Sequence, residues 1–268
     1  MSDKEIIRAF YDQNVAMESE RLNRHPFQFL ITTAMMDKYI QPGDSILDVG
    51  GGPGRYSVHY AAKGCAVTLI DLSEGNVRAA RKAAKAAGVK IKAKQGDACE
   101  LDTVVKGQFD HIFLMGPMYH LLAESDRICA MEQALARLKP GGKIYVTFIQ
   151  LFAGMIYMMK FAPEFVIDPN EFKSLDALLC TDTPFAGDGF TRAIFIPRKL
   201  IQRFTESFPI RTLHFFGQES ITAPCELNLL SQPQEVREKW LELGLLFCER
   251  DEGLTYTEHI MVIAEKLH

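Results

Sequence analysis

Between residues 45 and 148 short apolar runs alternate with amphipathic stretches. Ser45–Val49 (SILDV) ends in Gly-Gly-Gly-Pro-Gly and leads into a helix predicted over Tyr56–Lys63. Ala66–Ile70 stops at Asp71-Leu72-Ser73, and an Ala-rich helix follows over Asn76–Ala87, where Gly88 suits a left-handed cap. Ile91–Gln95, Phe109–Met115 and Lys143–Phe148 read as the third, fourth and fifth strands. The last two flank a helix over Asp126–Leu138, stopped by Lys139-Pro140-Gly141-Gly142. Apolar strands alternating with helices predict a parallel sheet with helices on both faces.

The rhythm breaks after Gln150. Residues 151–192 hold a Met-rich apolar piece (GMIYMMKF), a turn at Asp168-Pro169-Asn170 and another at Gly187-Asp188-Gly189. It resumes with a helix over Pro197–Ser207, a strand over Ile210–Phe216, a helix near Gln234–Leu243 and a last strand over His259–Ala264. Four segments follow: a helical cap over 1–42, a core over 43–150, an inserted lid over 151–192, and completion of the core sheet over 193–268. No internal repeat or low-complexity segment interrupts them.

Composition narrows the function. With 268 residues, 47% of them hydrophobic, the chain can bury a large single core. A net charge of −4 argues against a nucleic-acid surface, which shows as a basic excess. The basic stretch Arg78–Lys94 lies on an Ala-rich helix and reads as a solvated face. Six dispersed cysteines without a C-x-x-C pair indicate a reduced, cytoplasmic protein with neither a disulfide framework nor a zinc knuckle. The charged start MSDKEIIRAF argues against a secretory signal. Ile144–Met159, the longest uncharged run, falls short of the roughly 18 residues of a membrane span.

Candidate chemistry sits at the carboxyl ends of the predicted strands, where doubly wound sheets bind ligands. Glycines in ILDVGGGPGRYS let the backbone approach a ligand that a Cβ would repel. Asp71, ending the second strand, can accept two ribose hydroxyls, and Asp97, after the third, can accept from an adenine amine. Spacing excludes the commoner nucleotide loops. A G-x-G-x-x-G reading from Gly50 ends on Arg55 and from Gly52 on Ser57, and no G-x-x-x-x-G-K-[ST] occurs. The glycines instead run G-x-G-x-G (Gly50, Gly52, Gly54) after Asp48.

Taken in order, DVGGGPG, Leu69–Ser73 (LIDLS), Gln95–Ala98 (QGDA) and Leu138–Gly142 (LKPGG) resemble the class I S-adenosylmethionine-dependent methyltransferases. Gly116–Leu121 (GPMYHL) and Arg21–Pro26 resemble, more loosely, a bacterial subgroup with G-P-x-Y-H-L after strand four. The resemblance implies an α/β Rossmann-like, doubly wound sheet of seven strands with the last antiparallel, supplied by Ile210–Phe216 and His259–Ala264. It implies S-adenosylmethionine as methyl donor, S-adenosylhomocysteine as by-product and no metal. Asp48 would then lie near the methionine amino group, and Gly50, Gly52 and Gly54 would form the backbone cradle. Asp71 would bind the ribose with Leu72 against the adenine. Asp97 would bind the adenine amine, Ala98 would add a backbone contact, and Met115 would lie beside the methionine part. Tyr11 resembles tyrosines that cover the cofactor in this family.

On the acceptor side, His120 and Tyr119 are the catalytic candidates, because an imidazole titrates near neutrality at the rim where the methyl should point. A loop or capping role for His120, and plain packing for Tyr119, stay open. Arg21 and His25, beside Arg24, can meet a carboxylate, against ordinary surface ion pairs. Met155, Met158 and Met159 offer an adaptable wall for a lipophilic or aromatic acceptor, against simple packing on the sheet. His59, His111, His214 and His259 fall on element positions and read as structural. The expected protein is a cytoplasmic monomer or homodimer methylating an O or N nucleophile of a small molecule, with no nucleic-acid or membrane partner. The alternatives are a protein or tRNA methyltransferase, and a non-catalytic cofactor-binding regulator.

Overall fold

The computed structural model describes residues 2–15, 17, 20, 24–169, 180, 183–188 and 191–267. Helices α1 (Asp3–Gln13) and α2 (Pro26–Met36) precede the first strand. Ser2 caps α1 reciprocally with Glu5, and Pro26 opens α2 where a missing N–H costs nothing. The core then alternates β1 (Ser45–Val49), α3 (Arg55–Ala62), β2 (Ala66–Asp71), α4 (Glu74–Ala86), β3 (Lys92–Gln95), β4 (Phe109–Leu114), α5 (Glu124–Arg137) and β5 (Leu138–Gln150). Then come α6 (Ala153–Phe161), the hairpin β6 (Phe185–Asp188) and β7 (Arg192–Ile196), α7 (Arg198–Glu206), β8 (Ile210–Gly217), α8 (Gln234–Phe247) and β9 (His259–Lys266). Short helical turns fill 101–104, 117–120, 220–230 and 251–255.

Among the described residues nine strands form one sheet. Its core order is β3-β2-β1-β4-β5-β9-β8, with β9 antiparallel to both neighbours and the first five strands parallel. That is the seven-stranded arrangement anticipated from the motifs. The hairpin β6–β7 is an addition: Ile149 and Gln150 pair in parallel with Phe195 and Ile196. Ile149 also faces His259 of β9. The hairpin therefore takes the edge of β5 that β4 vacates when the chain turns off at Gly116-Pro117. The predicted insertion boundary at 192 cuts β7 at its first residue.

Two apolar layers hold the sheet. Leu47, Ile112, Leu114, Ile144, Val146 and Val262 pack on one face with α5 and Ile201 of α7. Ile46, Val67, Phe113, Tyr145 and Met261 pack on the other with Ile31, Met35 and Met36 of α2. Alternate residues of each strand serve opposite faces, which is why the strands read as unbroken apolar runs. Most boundaries moved by a few residues, and two of the shifts have a clear cause. β5 starts at Leu138 rather than Lys143, because Leu138 pairs with Phe109 across an irregular register. Helix α4 starts at Glu74 because Ser73 accepts from the Asn76 N–H at its N-terminus.

Candidate active site

The loop after β1 turns through three left-handed glycines, Gly50, Gly52 and Gly54. A Cβ on Gly50 would lie 2.5 Å from Pro117 Cδ, so the loop packs against the turn after β4. A Cβ on Gly52 would meet nothing within 4 Å. Gly52 is therefore required by its φ of +56° and faces open space, the side on which a ligand would lie.

Two acidic side chains support this loop from beneath. Asp71 accepts from Gly52 N (2.8 Å), Ser73 N (2.8 Å) and Asn76 Nδ2 (3.2 Å). A carboxylate offers about four lone-pair positions, so one acceptor site remains. Asp48 accepts from Ser57 Oγ (2.7 Å). Burial pushes the Asp48 carboxyl up to about 7, against the pull of the Ser57 bond and with help from the Asp71 charge. Burial likewise pushes Asp71 up to about 6 although its three donors oppose this. Neither carboxyl has an ion-pair partner among the described residues. A cationic ligand group set against them would restore their charged forms.

Beyond β2 and β3 a cavity of about 380 Å³ opens, lined by Leu72, Gln95, Gly96 and Asp97 from the sheet and by Lys4 and Arg8 of α1. Helix α1 closes it from above, held at both ends. Asp12 Oδ1 accepts from Ser73 Oγ (2.6 Å) and Gly75 N (3.0 Å), while Arg192 Nε donates to Asp3 Oδ1 (3.0 Å). Lys4 pairs with Asp97 Oδ2, and Asp97 Oδ1 accepts from Cys99 N (2.9 Å). Ala98 is buried beside it, its side chain in the core. The cover over this end is thus α1, with β7 contributing one anchor.

The turn 117–120 carries Tyr119 and His120. Tyr11 O–H meets His120 Nε2 at 2.7 Å, and His120 Nδ1 lies 2.9 Å from Arg192 O. A carbonyl only accepts, so the proton sits on Nδ1 and the neutral ring accepts from Tyr11 through Nε2. Tyr119 packs edge-on to His120 and to His259, with ring centroids 4.7 and 6.0 Å apart. Its hydroxyl lies 4.0 Å from where a Cβ on Gly116 would stand, itself 2.9 Å from Gly50 O. Met115 is half-buried against the α2-side cluster.

His25 donates through Nδ1 to Glu226 Oε2 at 2.6 Å, while Lys160 of α6 pairs with Glu258 and lies 3.8 Å from the same Glu226 oxygen. His25 thus answers a buried carboxylate of its own chain. Met155 and Met158 are half-buried on α6, and Met159 is 56% exposed. Arg21 lies outside the described residues. Sequence reasoning missed Lys4, Asp12 and Arg192, which anchor α1, and Glu219 and Glu226, which bind histidines from distant elements. The one available signal was acidic residues within otherwise apolar neighbourhoods, too weak to name partners.

Among the described residues no helix is long and apolar enough to cross a membrane, and no group of three or more His, Cys, Asp or Glu is arranged to hold a metal. The sheet order and the glycine loop after β1 define a Rossmann-like, doubly wound architecture. Residues 46–142 match the family model described as "Methyltransferase domain". Ubiquinone biosynthesis O-methyltransferase of Azotobacter vinelandii is 27% identical over 138 residues, covering 48% of this chain and 58% of that protein. Its namesake from Bordetella avium is 32% identical over 143 residues, with the same coverage of 48% and 58%. The chain thus spans little more than half the length of these curated relatives. Magnesium protoporphyrin IX methyltransferase from Synechocystis PCC 6803, solved with S-adenosylhomocysteine, has a TM-score of 0.61 at 13% identity over 99% of this chain and 100% of that one. At such identity the likeness shows the fold, which is the Rossmann-like methyltransferase fold. The family match and the fold agree over the core of the sheet, residues 46–142.

Proposed function

We propose that this chain transfers the methyl group of S-adenosylmethionine to an oxygen or nitrogen of a small, apolar or aromatic acceptor, oxygen being favoured by the O-methyltransferase relatives. The observation that carries this reading is the pair of buried carboxyls under the open glycine loop, both raised and both without a cation among the described residues. Asp48 suits the ligand's ammonium. Asp71 has one acceptor site left for ribose hydroxyls, and Leu72 and Asp97 line the cavity that would take the adenine. Gly50, Gly52 and Gly54 give the backbone approach, with Ala98 and Met115 beside it and Tyr11 above.

The cofactor supplies an activated methyl on a sulfonium and leaves as a neutral thioether. The chain's residues align the acceptor, exclude water and receive a proton. Tyr119, His120 and His25 border the acceptor side, with Met155, Met158 and Met159 as its apolar wall and Arg21 as a further contact. Calorimetric titration with S-adenosylhomocysteine, paired with by-product release over small-molecule acceptors, tests the reading. Binding with turnover is expected, and Asp71→Asn should weaken binding by roughly 1.5–3 kcal/mol. Absence of binding refutes the proposal, and tight binding without turnover on any acceptor favours a regulatory protein.

A further inference from the structure

His259 begins β9 opposite Ile149, at the carboxyl end of β5 where the cleft lies. Its Nδ1 is 2.7 Å from Glu219 Oε1, and Gln28 Nε2 lies 3.1 Å from the same nitrogen, where turning the amide over would present its oxygen to an Nδ1 proton. Glu219 is 3% exposed, yet its other oxygen collects Thr257 Oγ1 (2.6 Å), His259 N (2.9 Å) and Glu258 N (3.1 Å). Those donors and the neighbouring imidazole hold its carboxyl down at about 2 against burial. An ionised carboxylate only accepts, so the proton of neutral His259 is placed on Nδ1. Nε2 then keeps its lone pair, and it has no hydrogen-bond partner among the described residues.

His120 differs at this point, since both of its nitrogens are engaged. Tyr119 links the two halves of the site, its hydroxyl toward Gly116 and Gly50 and its ring against His259. His259 therefore stands across Tyr119 from the glycine loop, on the acceptor side. The remaining charges nearby are mutually paired: Lys160 with Glu258, and His25 with Glu226. Ser220, next to Glu219, is held at φ +51°, unusual for a residue with a side chain. Such backbone strain clusters where a fold over-determines a functional group.

We propose that His259 is a catalytic residue that takes the acceptor's proton through Nε2, with Glu219 as the residue that positions it. The proposal rests on the methyltransferase reading above. As the acceptor hydroxyl oxygen forms its bond to the methyl carbon, its proton passes to Nε2. The electron pair of the broken sulfur–carbon bond stays on sulfur, and the resulting imidazolium is stabilised by the Glu219 carboxylate. A base titrating near neutrality suits a hydroxyl acceptor of phenolic acidity.

Nitrogen NMR of the ring-labelled full chain, assigned with His259→Asn, reads the His259 tautomer and its titration without any acceptor. Neutral His259 protonated on Nδ1 is expected, with Glu219→Gln lowering the titration midpoint. With methyl-labelled S-adenosylmethionine and catechol as acceptor probe, H259N should lose about 100-fold or more in rate while its S-adenosylhomocysteine affinity stays within about twofold. E219Q should move the acid limb of the rate profile to lower pH. A neutral ring protonated on Nε2, an unmoved midpoint in E219Q, or an H259N rate within about threefold of wild type overturns the proposal. A wild-type chain that fails to bind S-adenosylhomocysteine overturns the methyltransferase reading instead.

Discussion

On the proposed reading, Asp48 should make ligand binding a proton-releasing event. Its carboxyl is 2% exposed, has Ser57 as its donor, and is pushed by burial up to about 7. In the ligand-free protein near neutrality it is therefore about half protonated. A ligand ammonium placed against it favours the ionised form, so binding expels the proton. Between pH 7 and 6 the ionised fraction drops from about one half to about one tenth, which should lower affinity roughly fivefold, or about 1 kcal/mol. Calorimetry of S-adenosylhomocysteine in two buffers of unlike ionisation enthalpy counts the protons directly. Close to one should be released at pH 6 and few at pH 8. Asp48→Asn keeps the shape and an acceptor for Ser57. It should bind at least about tenfold more weakly and lose the pH slope above pH 6, leaving only the Asp71 contribution below it. Equal affinity at pH 6 and 8, no proton release, or an unchanged slope in D48N would refute the reasoning.

Two further outcomes are expected. Both carboxyls sit above the ordinary carboxylate value in the fold, so the stability they confer is complete below about pH 4 and is lost as pH rises to about 7. Denaturant unfolding of the ligand-free chain should show this decline, roughly 4 kcal/mol for Asp48, and D48N should flatten it. The glycine loop offers a contrast: Gly52→Ala should cost only about 1–2 kcal/mol of stability, from its positive φ, yet abolish S-adenosylhomocysteine binding. Gly50→Ala, whose Cβ meets Pro117 at 2.5 Å, should lower the melting temperature by several degrees more.

Much of the fold was legible because local chemistry and global arrangement agree. Apolar runs with opposite-face alternation predicted the five parallel strands, and Pro-Gly punctuation placed most of their ends. Asp71 could be singled out because it ends the second strand at the ligand-binding edge, and Asp48 through the family resemblance that DVGGGPG carries. The loop Gly50–Gly54 was legible because glycine spacing there is a backbone requirement. The hairpin β6–β7 was missed, as its pairing with Gln150 depends on the edge left free by β4 and not on its own short sequence. A helical cap over 1–42 with Tyr11 was expected from the sequence, but not the partners of Lys4, Asp12 and Tyr11 on α1, each paired with a residue from another element.

The histidines mark the limit most clearly. On sequence position alone His120, beside Gly116-Pro117, outranks His259, a residue of an apolar strand. Position along the chain carries no information about which ring nitrogen meets which acceptor. Glu219 and His259 are joined only because β8 and β9 pair antiparallel and return the chain after β8 to the start of β9. The amino-acid sequence by itself determined the five parallel strands and the glycine loop between the first two elements, since these follow from periodicity and local backbone demands. Tertiary structure alone decided which imidazole keeps a free nitrogen, because that depends on contacts between segments 40 and 109 residues apart.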